Sequence, residues 1–125
     1  EWNSEAFIAA SVPDFIDERG HLTNAHIYYL DEDPDLRVGF MSSKQDTVIA
    51  DVFVMIGGPA FEAELIPEME KLEEAHPERF RSLIADGNSH TFLLTQFGRE
   101  VGGVTVAEWV EDMLEGSDKW VSVSD

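Results

Sequence analysis

The amino-acid sequence predicts an α/β fold in which parallel strands are joined by crossover helices. Two short apolar runs, Leu36–Ser42 (LRVGFMS) and Phe80–Ala85 (FRSLIA), are bounded by turn residues, the pattern of strands buried on both faces of a parallel sheet. Between them, residues 60–75 repeat Phe61, Leu65, Met69 and Leu72 at four- and three-residue steps with Glu and Lys on the opposite face, as an amphipathic helix requires. Strand, helix, strand in that order implies a right-handed parallel crossover. The chain of 125 residues, 43% hydrophobic and 10% aromatic, has the material for one core and not for several. It contains no internal repeat.

Residues 1–35 read as short helical or irregular pieces, with Phe7, Ile8, Phe15 and Ile16 as apolar anchors and Pro13 and Gly20 as punctuation. Leu22–Leu30 (LTNAHIYYL) reads as helical despite its aromatic and β-branched residues. Asp31-Glu32-Asp33-Pro34-Asp35 is a turn, because proline steers Asp33 away from the helical region and the acidic side chains have nothing to bury. Residues 36–125 then hold the strand-helix-strand-helix part. His76-Pro77 stops the long helix, with the imidazole at the negative end of the helix dipole. Asp86-Gly87-Asn88 turns the chain after the second strand. The last helix runs from about Val106 to Leu114: Thr105 and Glu108 form a capping box, Trp109, Val110, Met113 and Leu114 its apolar face, and Gly116 its stop.

Two parallel strands are a poor sheet, each with an unpaired edge. The chain therefore reads as the C-terminal part of a larger α/β protein whose sheet is completed by an upstream segment or a second chain, with a small autonomous α/β domain as the alternative.

Charge and composition narrow the chemistry. Acidic residues number 26 against 8 basic ones, for a net charge of −18, so the field of the protein repels nucleic acid and anionic lipid. The absence of cysteine removes disulfides, thiolate metal sites and cysteine nucleophiles. No apolar run reaches the roughly 20 residues that span a bilayer. Asp31, Asp33 and Asp35 occupy the first ligand positions of a calcium loop, but Leu36 stands where that loop needs glycine and Ser42 where it needs its bidentate glutamate. His21 and His26 are spaced wrongly for one helical face and do not read as a metal pair. No metal and no cofactor is expected.

The informative constellation is positional. Asp46 follows the end of the first strand and His90 follows the end of the second. In an open parallel sheet, loops beyond the carboxyl ends of neighbouring strands converge on one crevice, so the two side chains can meet. A carboxylate accepting from imidazole Nδ1–H fixes the tautomer and leaves Nε2 to take a proton from a hydroxyl nucleophile. Each residue has a plainer alternative. Asp46 suits the N-cap of a helix starting near Thr47, and His90 suits an N-cap or a hydrogen bond within its own turn. Asp51 is a reserve acid, Ser42, Ser43 and Ser89 read as turn formers, and His76 as a helix-end residue. Trp2, Trp109 and Trp120 read as core or cover, with contact to another subunit or a substrate ring as an alternative for Trp120.

Residues 37–48 (RVGFMSSKQDTV), 84–91 (IADGNSHT) and 104–110 (VTVAEWV) together resemble the C-terminal third of α/β-hydrolase serine esterases, nearest to pectin-acetylesterase-like secreted bacterial enzymes. There an S-x-x-D-x-V segment follows the penultimate strand and a G-x-x-H-T segment the last one. The resemblance implies that Asp46 is the triad acid and His90 the triad base of an ester hydrolase, secreted, acting on a small-molecule or carbohydrate ester. The family places its serine on a G-x-S-x-G elbow upstream of both, and this chain has no such elbow. Gly87-Asn88-Ser89-His90-Thr91 lacks the second glycine and reads as a loop. The nucleophile and its oxyanion donors are thus expected on an upstream segment or second chain, and this chain alone is expected to be inactive. A non-catalytic, acidic α/β binding module is the alternative function.

Overall fold

In a computed structural model, residues 15–125 are described; what was expected at Trp2, Phe7, Ile8 and Pro13 lies outside them. Strands β1 (Val38–Ser43) and β2 (Phe80–Ala85) run parallel and in register from Val38 opposite Phe80 to Ser43 opposite Ala85. The expected strand limits are met at β2, while β1 starts two residues later than Leu36, after the acidic turn. Helix α1 (Thr23–Glu32) precedes the sheet and helix α2 (Gly58–Ala75) connects its two strands.

The two-strand inventory needs correction. A third strand, β5 (Val123–Ser124), pairs parallel with the free edge of β2, giving the order β1-β2-β5. A two-residue strand carries no periodicity, so nothing local marks it. Its position is set by tertiary contacts: the Trp109 indole donates to the Val121 carbonyl at 2.8 Å, and the Ser122 hydroxyl accepts from the Ser82 amide at 3.0 Å. A small antiparallel hairpin, β3 (Glu100–Val101) and β4 (Val104–Thr105), turns on Gly102-Gly103 and leads into helix α3 (Val106–Glu115). Residues 36–125 therefore contain more strand than was expected.

Strand periodicity divides the core into two layers. Val38, Phe40, Phe80 and Ile84 face Leu30 of α1 and Leu65, Met69 and Leu72 of α2. Met41, Leu83 and Ala85 face the other way, onto Trp109 of α3, Val101, Phe92 and Trp120. Trp120 is therefore core: it packs on Trp109 with ring centroids 5.9 Å apart. β2 is nearly all buried, but β1 is only half-buried over its first four residues, which corrects the expectation of a strand covered on both faces. The apolar face of α3 is also narrower than expected, since Leu114 is exposed.

Helix α2 keeps its path through Pro67. Proline cannot donate to the carbonyl of Ala63, but both residues lie on the exposed side, where water can take up the freed acceptor. His76 caps the helix as expected, its amide donating to Leu72, and its buried ring lies against Arg79 and Asp31.

Candidate active site

Beyond the in-register ends of β1 and β2 the two outgoing loops are tied together by backbone hydrogen bonds. Lys44 N–H donates to the Ala85 carbonyl at 2.9 Å, Gln45 N–H to Gly87 at 3.1 Å, and Thr47 N–H to Asn88 at 3.3 Å. Gly87, with φ at 95°, allows the turn that presents these acceptors. The Lys44 ammonium adds a contact of 2.6 Å to Asp86, which raises its pKa above the ordinary lysine value.

Asp46 and His90 lie on these joined loops and are in contact. Nδ1 of His90 is 2.9 Å from Oδ2 of Asp46 and 3.1 Å from Oδ1, across 44 residues of sequence. The Asp46 side chain is 4% exposed and that of His90 is 39% exposed, so the acid is sealed under an accessible ring. Among the described residues, Nε2 of His90 has no hydrogen-bond partner.

The capping alternative for Asp46 is also realised. Its Oδ1 accepts from the amides of Val48 and Ile49, both at 3.0 Å, and its carbonyl accepts from Ala50 at 2.7 Å. The segment that it caps is a π-helical turn, Val48–Phe53, and not the α-helix expected from Thr47. β-Branched Val48, Ile49 and Val52 are poor α-helix formers, and such wide turns recur at functional sites. Two amides therefore hold the carboxylate still while its other oxygen faces the imidazole, the arrangement that fixes a ring's tautomer and orientation.

The other sequence candidates do not join the pair. Asp51 is exposed on the π-helical turn, and Ser43 is buried in β1, its hydroxyl without a partner among the described residues. The Ser42 hydroxyl donates to the Ser43 carbonyl at 3.0 Å, as a strand-end serine does. Sequence reasoning missed the part of Thr47 and Asn88, whose backbone bond and 3.2 Å side-chain contact clamp the loops. The Gly87-Asn88 turn signal was the available hint. Comparison with protein families, curated proteins and solved structures finds no match.

Proposed function

We propose that Asp46 and His90 are the acid and base of a serine-type ester hydrolase whose nucleophile comes from a segment or chain outside residues 1–125. The observation that carries this reading is the 2.9 Å contact of His90 Nδ1 with a buried, doubly held carboxylate, on adjacent loops at the carboxyl ends of parallel strands. The resemblance to α/β-hydrolase esterases supports it, and brings with it the expectation of a secreted enzyme.

In this mechanism Nδ1–H donates to Asp46 throughout. Nε2 takes the proton of the serine hydroxyl as its oxygen bonds to the ester carbonyl carbon. Collapse of the tetrahedral intermediate breaks the bond to the alcohol oxygen, which leaves with the proton held on Nε2. A water then gives its proton to Nε2 and attacks the acyl-serine, and the serine recovers the proton on release of the acid. Asp46 stays ionised and stabilises the imidazolium.

The test is reconstitution. The chain alone should give no turnover and no labelling by an alkyl fluorophosphonate. Joined with the segment that bears the serine, it should gain both, and Asp46→Asn should then lower kcat by on the order of a thousandfold or more. Retention of most activity in that variant removes Asp46 from the reaction.

A specific observation favours a second reading, a non-catalytic binding module. β5 covers one edge of β2, and both faces of the sheet carry buried clusters, so less of the sheet is left open than two strands alone would leave. A sharp, cooperative thermal transition of the monomeric chain, together with failure to reconstitute hydrolysis, would select this module.

A further inference from the structure

Two carboxylates of α2, Glu64 and Glu68, meet His21 and Asp17 in a second titratable cluster that shares no residue with the pair of Asp46 and His90. Nδ1 of His21 lies 3.2 Å from Oδ2 of Asp17 and 3.2 Å from Oε1 of Glu68, and its Nε2 lies 3.4 Å from Oε2 of Glu64. The donor atoms of Asp17, His21 and Glu68 all fall within 4.8 Å of one another. Asp17 is held in place because its Oδ1 accepts from the amides of Arg19 and His21, both at 2.9 Å. That leaves Oδ2 facing the imidazole.

Hydrogen bonding accounts for the contact of His21 with Asp17 but not for that with Glu68. Nδ1 carries at most one proton, yet two carboxylate oxygens stand at the same distance from it. Arg19 pairs with Glu64, which offsets one of the three carboxylates and leaves the other two crowding one ring. Oε2 of Glu68 is shut off from solvent and has no hydrogen-bond partner among the described residues, a costly state for a carboxylate oxygen.

We propose that Asp17, His21 and Glu68 bind a divalent transition-metal cation of the zinc class through Oδ2, Nδ1 and a Glu68 carboxylate oxygen. Donors bound at about 2.1 Å and separated by about 100° stand about 3.2 Å apart, which matches both contacts to Nδ1. One imidazole with carboxylates suits zinc, cobalt or manganese better than calcium, which prefers an all-oxygen shell. The cation replaces the contested proton and balances the surplus negative charge. A neighbouring cavity of about 460 Å³, lined by His21, Leu22, Val54, Ile56, Phe61 and Leu65, leaves room for water at the remaining coordination positions. The proposal is independent of the esterase reading.

The test uses the whole 125-residue chain titrated with Zn²⁺, with Mg²⁺ as the control for general screening of its acidic surface. Binding of Zn²⁺ should shift the ring resonances of His21 while those of His26, His76 and His90 stay in place. His21→Ala and the near-isosteric Glu68→Gln should each weaken binding by about tenfold or more. The proposal is overturned if Zn²⁺ moves the His90 ring instead, if Mg²⁺ reproduces the response, or if both variants bind as the parent does. The ring shifts are read on the unaltered protein, so a variant that fails to fold does not shield the idea.

Discussion

The carboxylate of Asp46 divides its lone pairs between two amides and one imidazole, so substitutions at this residue should separate structure from chemistry. Asparagine can keep its oxygen on the Val48 and Ile49 amides, but it then turns an NH₂ donor toward Nδ1 of His90. Two donors cannot face each other without cost, so the neutral ring should move its proton to Nε2. Long-range ¹H–¹⁵N spectra of the chain at alkaline pH should show His90 protonated on Nδ1 in the parent and on Nε2 in Asp46→Asn. The same nitrogen protonated in both would show that the pair does not set the tautomer. Asp46→Ala removes the cap as well and should cost about 1–2 kcal/mol in urea unfolding, whereas the asparagine variant stays close to the parent.

At the scale of elements, β1 and α3 meet at a position where no side chain fits. A Cβ on Gly39 would stand 2.7 Å from Sδ of Met113 and 3.0 Å from the Trp109 ring. Gly39→Ala should therefore displace the Met113 thioether and press on the Trp109 ring, at a cost of about 1–3 kcal/mol read as a lower urea midpoint. A midpoint unchanged from the parent would mean that this contact is slack. The capping box at the start of α3 is complete: the Glu108 amide donates to the Thr105 hydroxyl at 3.2 Å, and Glu108 accepts from the Thr105 amide at 3.0 Å. The Thr105 hydroxyl, and after it the Thr105 amide, hold the Glu108 carboxyl below its ordinary pKa. A depressed folded-state pKa means that the ionised carboxylate stabilises the fold. That contribution is complete above the ordinary Glu value of about 4.3 and is lost as pH falls through the lower folded value. The stability gap between the parent and Glu108→Gln should thus be open at neutral pH and close in acid; a gap independent of pH would contradict the cap's electrostatic part.

For the molecule as a whole, a net charge of −18 on 125 residues makes self-repulsion the dominant long-range term. Attractive surface pairs exist, among them Lys44 with Asp86, but exposed pairs are each worth little. Sodium chloride raised toward about 1 M, where the Debye length falls to about 3 Å, should therefore raise Tm. A fall in Tm would mean that the attractive pairs outweigh the repulsion. Large apolar side chains remain exposed on the loops that leave the dyad, Phe53 and Met55 after Asp46, and Leu94 and Phe97 after His90. No helix among the described residues is long and apolar enough to cross a membrane.

The elements that could be read from sequence were those whose signals are local. The caps at Thr105, Glu108 and Gly116, the repeat of Leu65, Met69 and Leu72, and the turn at Gly87 each act over a few residues, and the structure contains them all. Asp46 and His90 were also legible, because parallel pairing brings the carboxyl ends of neighbouring strands together whatever lies between them. The strand at Val123–Ser124, the half-exposure of β1, the π-helical turn under Asp46 and the cluster around His21 had no such signal. The strand and the cluster depend on partners far along the chain: the Trp109 indole for Val121, β2 for Val123, and α2 for the Glu68 carboxylate that meets His21. Short-range propensity sets what a segment prefers, but long-range packing and hydrogen bonding choose among those preferences once the chain has closed on itself.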